Sequence, residues 1–416
     1  MKHIKILFSI LFVFSLVFAA NYPFPQNKVA FGIATTANVS GDVQSTYQSW
    51  LSSYYEEQGD LARIDWDTKS QTVSEGIGYG MLIMVCMDNT QNNTRSKFDK
   101  LWRYYKKFRN NNGVMNWKID GFNAVTGDGK NGATDAELDA ATALVLAYRQ
   151  WGDESYKSDA VALISAIWNT EVNANRYLKP GDAWDTKKNL SYFSTGGLEL
   201  FKSVDSHDWS TVIAKSFILL KKVCNATTGL PPDWCSEDGN TLMGQFGYDA
   251  VRVPWRMAWA YSWFGQKDAG DIDAKIATWI RGATGNSPSA IKANYSLTGS
   301  AQENGNAAFT GALSCAGMTS ADNQDWVYQG LAATKNAVTN SYYNKTLQVL
   351  YMLLLSGNFP LMTGSPTATQ FFQPCITAAA SRHDAVLVTA HAGRYFSLTG
   401  KRMNRLGAFA LQPFVR

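Results

Sequence analysis

Apolar positions along this chain recur at helical spacing in a series of segments separated by polar, glycine-containing loops. The pattern predicts helices over Asp42–Glu57, Glu75–Met87, Arg95–Arg109, Thr134–Trp151, Glu154–Val172 and Ser194–Lys202. It predicts six more over Ser206–Cys224, Asp249–Phe264, Ala269–Ala283, Gln302–Cys315, Ser320–Ala337 and Tyr342–Ser356. Strand-like alternation is sparse and falls in the loops. The even-numbered segments are rich in Gly, Ala and large apolar residues, as in Ala140–Ala147, whereas the odd ones carry charge, as in Arg95–Lys100. A helix that is apolar all round is central, and a one-sided helix lies outside it. Twelve helices alternating in this way predict an all-α fold, an (α/α)6 barrel with six inner and six outer helices. One core of this size accounts for residues 20–359 without a second domain.

The arrangement has a chemical consequence. Alternate helices run antiparallel, so all the inner helices start at one end of the barrel. Glu75 opens the second helix, Asp135 the fourth and Asp249 the eighth, while Tyr342 and Tyr343 open the twelfth. The loops before them hold Trp117, Trp184 and Tyr192. Ser74 is placed to cap the helix of Glu75, and Gly76, Gly78 and Gly80 strip side chains from one of its faces. A single acid at a helix N-terminus only complements the dipole. Three acids among aromatic rings form a candidate site.

The ends read differently. Lys2 and Lys5 precede the apolar run Ile6–Phe18, and Val17-Phe18-Ala19 offers a small-residue cleavage point, so residues 1–19 read as a secretory signal peptide. No later run is long enough to span a bilayer. A secreted protein, free or retained at the cell surface, is therefore expected. Residues 360–376 read as a linker punctuated by Pro360, Pro366 and Pro374. Residues 377–416 read as a basic tail with strand-like runs, either a surface-attachment or sorting signal or a merely solvated segment. From Ile376 onward six cations face the single acid Asp384, more than the whole chain's excess of +4. The body is thus near neutral, which argues against nucleic-acid binding. Of the five cysteines, Cys224 and Cys235 flank a turn-rich segment and are candidates to pair, as more weakly are Cys315 and Cys375; Cys86 reads as an apolar filler. A monomer is expected.

Histidine supply excludes much. Of four histidines, His3 lies in the leader, His383 and His391 lie in the tail, and only His207 stands in the body. That argues against a Ser–His–Asp triad or a histidine zinc site, and no metal or cofactor is expected. Nucleotide-binding glycine loops are missing as well. Carboxylates remain, and glycosidic hydrolysis needs one protonated acid with one ionised partner. Glu75 suits the acid if burial or Asp135 keeps it protonated. Arg252, one turn beyond Asp249, is placed to hold that second carboxylate ionised or to orient it. Fourteen Trp, nineteen Tyr and twenty-one Phe provide faces on which sugars stack.

Three motifs sharpen this reading. Ser74–Met81 (SEGIGYGM), Ala133–Ala141 (ATDAELDAA) and Tyr248–Arg256 (YDAVRVPWR) resemble, in order, the signatures of glycoside hydrolase family 8. Asn116-Trp117-Lys118 and Leu355–Phe359 are similar to the family as well, so the likeness runs over Asn38–Phe359. The resemblance implies an inverting, endo-acting hydrolase on an (α/α)6 barrel. It makes Glu75 the general acid, Asp249 the base that activates water, and Asp135 the residue that holds the distorted sugar. Inversion leaves room for a water, so a carboxyl separation of about 6.5–9.5 Å is implied. Trp117, Trp184, Tyr192, Tyr248 and Tyr342 or Tyr343 become sugar platforms. Glu137 departs from the family's usual Asp by one methylene. The Arg252–Arg256 run resembles the family's endoglucanases, so an endo-β-1,4-glucanase is expected, with a xylanase next and a chitosanase less suited to the near-neutral body. A non-catalytic glycan binder and a polysaccharide lyase are the readings from other classes.

Overall fold

The computed structural model describes residues 20–364 and, beyond them, the strand residues Tyr395–Phe396 and Arg402–Met403. The chain divides into two units, residues 1–367 and 368–416. In the second unit the described strands pair antiparallel, Tyr395 opposite Met403. The predicted leader, Pro366, Pro374, Cys375 and most of the basic tail lie outside the described residues.

Among the described residues of the first unit twelve α-helices follow one another, beginning with α1 (Ser40–Tyr54), α2 (Ser74–Met87), α3 (Arg95–Lys107), α4 (Thr134–Trp151), α5 (Glu154–Glu171) and α6 (Thr195–Phe201). The second half comprises α7 (Trp209–Val223), α8 (Arg252–Phe264), α9 (Lys267–Ala283), α10 (Ala307–Cys315), α11 (Gln324–Asn336) and α12 (Tyr342–Leu355). Burial sorts them into two rings. Helix α2 buries thirteen of its fourteen residues and α10 all nine. Helix α1 buries four of fifteen and α11 five of thirteen. This is the (α/α)6 barrel. The run Met81–Val85 is wholly inaccessible, so α2 has no solvent face at that level. Each such side chain contributes about 1.5–3 kcal/mol of transfer free energy. Close packing of α2 on α4 depends on Gly78, where an added Cβ would stand 2.9 Å from the Ala136 carbonyl oxygen.

Short strands lie in the loops. The pairs are β1 (Tyr55–Gln58) with β2 (Leu61–Ile64), and β3 (Gln71–Val73) with β4 (Lys118–Asp120), which also pairs with β5 (Ala124–Val125). Next, β6 (Lys188–Asn189) pairs with β7 (Trp234–Cys235), which pairs with β8 (Leu242–Met243), and β9 (Ala293–Tyr295) pairs with β10 (Ala301–Glu303).

Several expectations change. Ser74 is the first residue of α2 and caps nothing; its N–H donates to the Trp117 carbonyl at 2.8 Å, which ties the helix start to the next rim loop. Helix α8 begins at Arg252, leaving Asp249 in the preceding turn, because the Asp233 carboxylate accepts from the N–H groups of Gly247, Asp249 and Ala250. Gln302 belongs to β10, and Asn306 caps α10 four residues later. Cys224 and Cys235 are free thiols. The Asn225 side chain closes the segment between them, accepting from the N–H groups of Thr227 and Thr228. His207 pairs with Asp205 at 2.8 Å and stacks on Trp168.

Candidate active site

The inner-helix starts converge on one guanidinium. Arg252, the first residue of α8, is 3% exposed and donates through Nη1 to Glu75 Oε2 at 2.8 Å and Asp135 Oδ2 at 2.6 Å. Tyr79, one turn below Glu75 on α2, accepts from the same nitrogen at 3.2 Å. Tyr342 completes the setting of Glu75: its hydroxyl donates to Oε1 at 3.1 Å. Gly76 makes room for that phenol, since a Cβ there would stand 3.1 Å from the hydroxyl oxygen. One turn inward the pattern repeats, with Arg256 donating Nη2 to Asp139 Oδ2 at 2.7 Å and both side chains 1% exposed. Asp135 and Asp139 are four residues apart on α4, as Arg252 and Arg256 are on α8, so two parallel ion pairs join these inner helices.

Burial pushes the Glu75 carboxyl up to about 7, with Asp135 adding to the rise while Arg252 and the Tyr342 hydroxyl oppose it. A carboxyl at that level carries a proton at mildly acidic pH, as a general acid requires. Asp249 has the opposite setting. Its side chain is 39% exposed, Oδ1 accepts from the Asn189 amide at 3.0 Å, and Oδ2 accepts from the Trp234 indole at 2.8 Å. Arg252 Nη2 stands 3.7 Å from Oδ1, beyond hydrogen-bonding distance. Arg252 thus keeps an ion pair with Asp249, as the sequence places it, but its hydrogen bonds go to Glu75 and Asp135, and those on Asp249 come from Asn189 and Trp234.

Glu75, Asp249 and Arg252 line one groove of about 500 Å³ together with Trp66, Tyr248 and Tyr343. The aromatic residues expected as platforms are not all placed alike. Trp184 is 39% and Tyr248 41% exposed. Trp117 is half-buried, its indole donating to the Asp128 carbonyl at 2.9 Å and its ring facing the Lys118 ammonium at 4.9 Å. Half-buried Tyr192 carries the Arg252 guanidinium 5.4 Å above its ring. Tyr343 is half-buried and donates its hydroxyl to the Tyr248 carbonyl at 2.6 Å. Tyr342 is corrected: at 1% exposure, with its ring edge-on to Tyr54, it has no face for a sugar.

The profile of the family described as "Glycosyl hydrolases family 8" matches residues 23–357. This chain belongs to glycosyl hydrolase family 8. The hydrolase is 35% identical to Endoglucanase A of Acetivibrio thermocellus over 84% of this chain and 78% of that one. The solved apo structure of a β-1,3-1,4-glucanase from Paenibacillus sp. X4 superposes with a TM-score of 0.76 at 28% identity, over 81% of this chain and 98% of that one. A more distant relative is the reducing end xylose-releasing exo-oligoxylanase of Halalkalibacterium halodurans, 25% identical over 74% of this chain and 85% of that one.

In this family 8 hydrolase the longer Glu137 side chain serves the scaffold. It is fully buried, and Oε1 accepts from the Met115 N–H at 3.2 Å and the Tyr105 hydroxyl at 3.3 Å, which holds the loop that carries Trp117. Residues the sequence reading missed are Trp66, Tyr79, Asn189, Asp233 and Trp234. Tyr79 was reachable, lying four residues beyond Glu75 on one helix face; the others sit in loops or two-residue strands with no period to reveal them. Among the described residues no cluster of three or more His, Cys, Asp or Glu could hold a metal ion.

Proposed function

We propose that this family 8 hydrolase is a secreted endo-β-1,4-glucanase that inverts the anomeric centre, with Glu75 as general acid and Asp249 as general base. The single observation that carries the roles is the contrast between the two carboxyls of one groove. Glu75 is mostly buried and raised to about 7, whereas Asp249 is 39% exposed and accepts a hydrogen bond on each oxygen. In the reaction Glu75 gives its proton to the departing glycosidic oxygen as the C1–O bond breaks. Water attacks C1 from the other face and yields a proton to Asp249. Asp135 and Arg252 form the polar floor beneath the reacting sugar, where Asp135 Oδ1 is buried without a protein partner. Tyr248, exposed and lining the groove, and Trp184, exposed beside the Trp234 ring that reaches Asp249, offer stacking faces. The glucan preference is supported by the endoglucanase and β-glucanase relatives, and secretion by the basic and apolar leader. The exo-oligoxylanase relative favours a second reading, a hydrolase of xylan or xylo-oligosaccharides.

The test is product analysis on carboxymethyl cellulose, mixed-linkage β-glucan, xylan and chitosan, with proton NMR of the first anomer formed. Rapid viscosity loss on the glucans and initial α-anomer are expected. Initial β-anomer overturns inversion, release from xylan alone selects the second reading, and binding without release turns the protein into a glycan binder.

A further inference from the structure

We infer that Trp234, together with its cross-strand neighbour Asn189, is a positioning residue that fixes the orientation of the Asp249 carboxylate over the groove. This rests on the hydrolase reading above, because it gives Asp249 a role that orientation affects.

Rotation of an aspartate carboxyl about its last bond is intrinsically soft, with broad two-fold minima. One donor on one oxygen leaves that rotation largely free, whereas a donor on each oxygen defines the plane. The small sheet supplies both. In the β6–β7 ladder Asn189 stands directly opposite Trp234, and directly opposed residues project from the same face. From that face the Asn189 amide reaches Oδ1 at 3.0 Å and the Trp234 indole reaches Oδ2 at 2.8 Å.

Each donor is itself oriented. Asn189 Oδ1 accepts from the Ser191 N–H at 3.0 Å and the Ser191 hydroxyl at 2.7 Å, which turns the NH2 group toward Asp249. The Trp234 ring is covered by the Lys187 ammonium 3.8 Å from its centroid and flanked by Trp184 at 5.8 Å and Tyr192 at 6.4 Å. The opposite face of the ladder is pinned by Lys188, fully buried and paired with Glu237 at 2.9 Å and with Asp185. A one-residue slip would bring Lys188 to the face of Asn189 and withdraw the amide, so this buried pair guards the register. The same ring that holds the base also abuts the exposed Trp184 platform.

The experiment is Trp234→Phe, which keeps an aromatic ring but removes the indole N–H with the pyrrole half that carries it, with Asn189→Ala as a second variant that leaves every indole in place. A lost hydrogen bond to a charged group lowers kcat on soluble β-glucan by about tenfold to a hundredfold, with KM within roughly twofold. A purely structural role would lower the melting temperature and leave kcat per folded molecule unchanged. Independently of activity, 15N-tryptophan labelling displays the indole signals of the fourteen tryptophans. The signal that Trp234→Phe removes is expected to move in Asp249→Asn. Wild-type kcat in both variants, or an indole signal indifferent to Asp249→Asn, overturns the inference. A wild type that releases no sugar from any of the four polysaccharides defeats the hydrolase reading instead, and the indole shift still reports whether the contact exists.

Discussion

Arg252 Nη1 stands 2.8 Å from Glu75 Oε2, while its Nη2 is 3.7 Å from Asp249 Oδ1. The first is a charge-assisted hydrogen bond and the second a Coulombic contact alone. The cation therefore serves the acid side of the groove. A full positive charge bonded to a carboxyl ordinarily holds it ionised, yet Glu75 is raised to about 7. Burial outweighs the cation, and Asp135, which draws on the same Nη1 at 2.6 Å, adds its own negative charge nearby.

The pH profile follows from that balance. Glu75 must carry its proton to act, so kcat/KM is expected to fall as pH rises through about 7. Asp135 raises Glu75, so Asp135→Asn should move this alkaline limb to lower pH besides lowering the rate. A limb that stays in place in the variant would detach Glu75 from the ionisation that sets it.

Removing the reacting groups should cost rate and little else. Glu75→Gln and Asp249→Asn are near-isosteric, and each is expected to lower kcat by about 10²–10⁴-fold, the usual contribution of a positioned acid or base. Melting temperatures should stay close to wild type. Wild-type turnover in either variant would remove that residue from its role.

Much of this was legible in the residues and some was not. The inner and outer rings followed from helices such as α2 and α4, whose apolar residues leave no solvent face, because burial on all sides is written directly into composition. Glu75 and Asp135 were legible because motif and helix start coincide. Asp249 was found by its motif but placed on a helix it precedes, since the Asp233 carboxylate that ties its N–H into the preceding turn lies sixteen residues upstream. The partners of the base were invisible: Asn189 and Trp234 are brought together by a two-residue ladder, which no periodicity announces. Tyr342 read as a platform because sequence shows an aromatic ring at the rim but not that only its hydroxyl faces the site.

The rim aromatics should divide by exposure. Trp184, at 39% exposed, is expected on truncation to Ala to raise KM several-fold, in keeping with about 1 kcal/mol for lost stacking, without lowering the melting temperature. Tyr342→Phe removes only the hydroxyl on Glu75 and is expected to lower kcat with KM nearly unchanged. Steady-state kinetics on a soluble glucan check both; a KM effect in Tyr342→Phe would restore that ring to sugar contact.

The inner ion pair offers a stability test separate from catalysis. Arg256 and Asp139 are each 1% exposed and bonded through both terminal guanidinium nitrogens. Breaking a buried pair from one side leaves an uncompensated charge and costs about 3–5 kcal/mol. Arg256→Met should therefore lower the denaturation midpoint strongly, and Arg256→Met with Asp139→Leu should recover part of the loss. If the double variant is no more stable than the single one, the penalty is not that of a stranded carboxylate.

Glu171 provides the last prediction. It is fully buried at the end of α5, both carboxyl oxygens lack a hydrogen-bond partner, and burial, then Asp182, pushes its carboxyl well above the ordinary carboxylate range. Glu137 is raised in the same way, by burial first and then by Glu171 itself. A carboxyl raised on folding binds its proton more tightly in the native state than in the unfolded one. Stability is then full at acidic pH and is lost as pH climbs out of the ordinary carboxylate range toward the raised native value. Glu171→Gln keeps the shape, cannot ionise and removes the charge that raises Glu137. The melting temperature of the variant should therefore fall less than that of the wild type between pH of about 5 and about 9. Equal losses in the two proteins would mean that these carboxyls bind protons no more tightly in the native state than in the unfolded one.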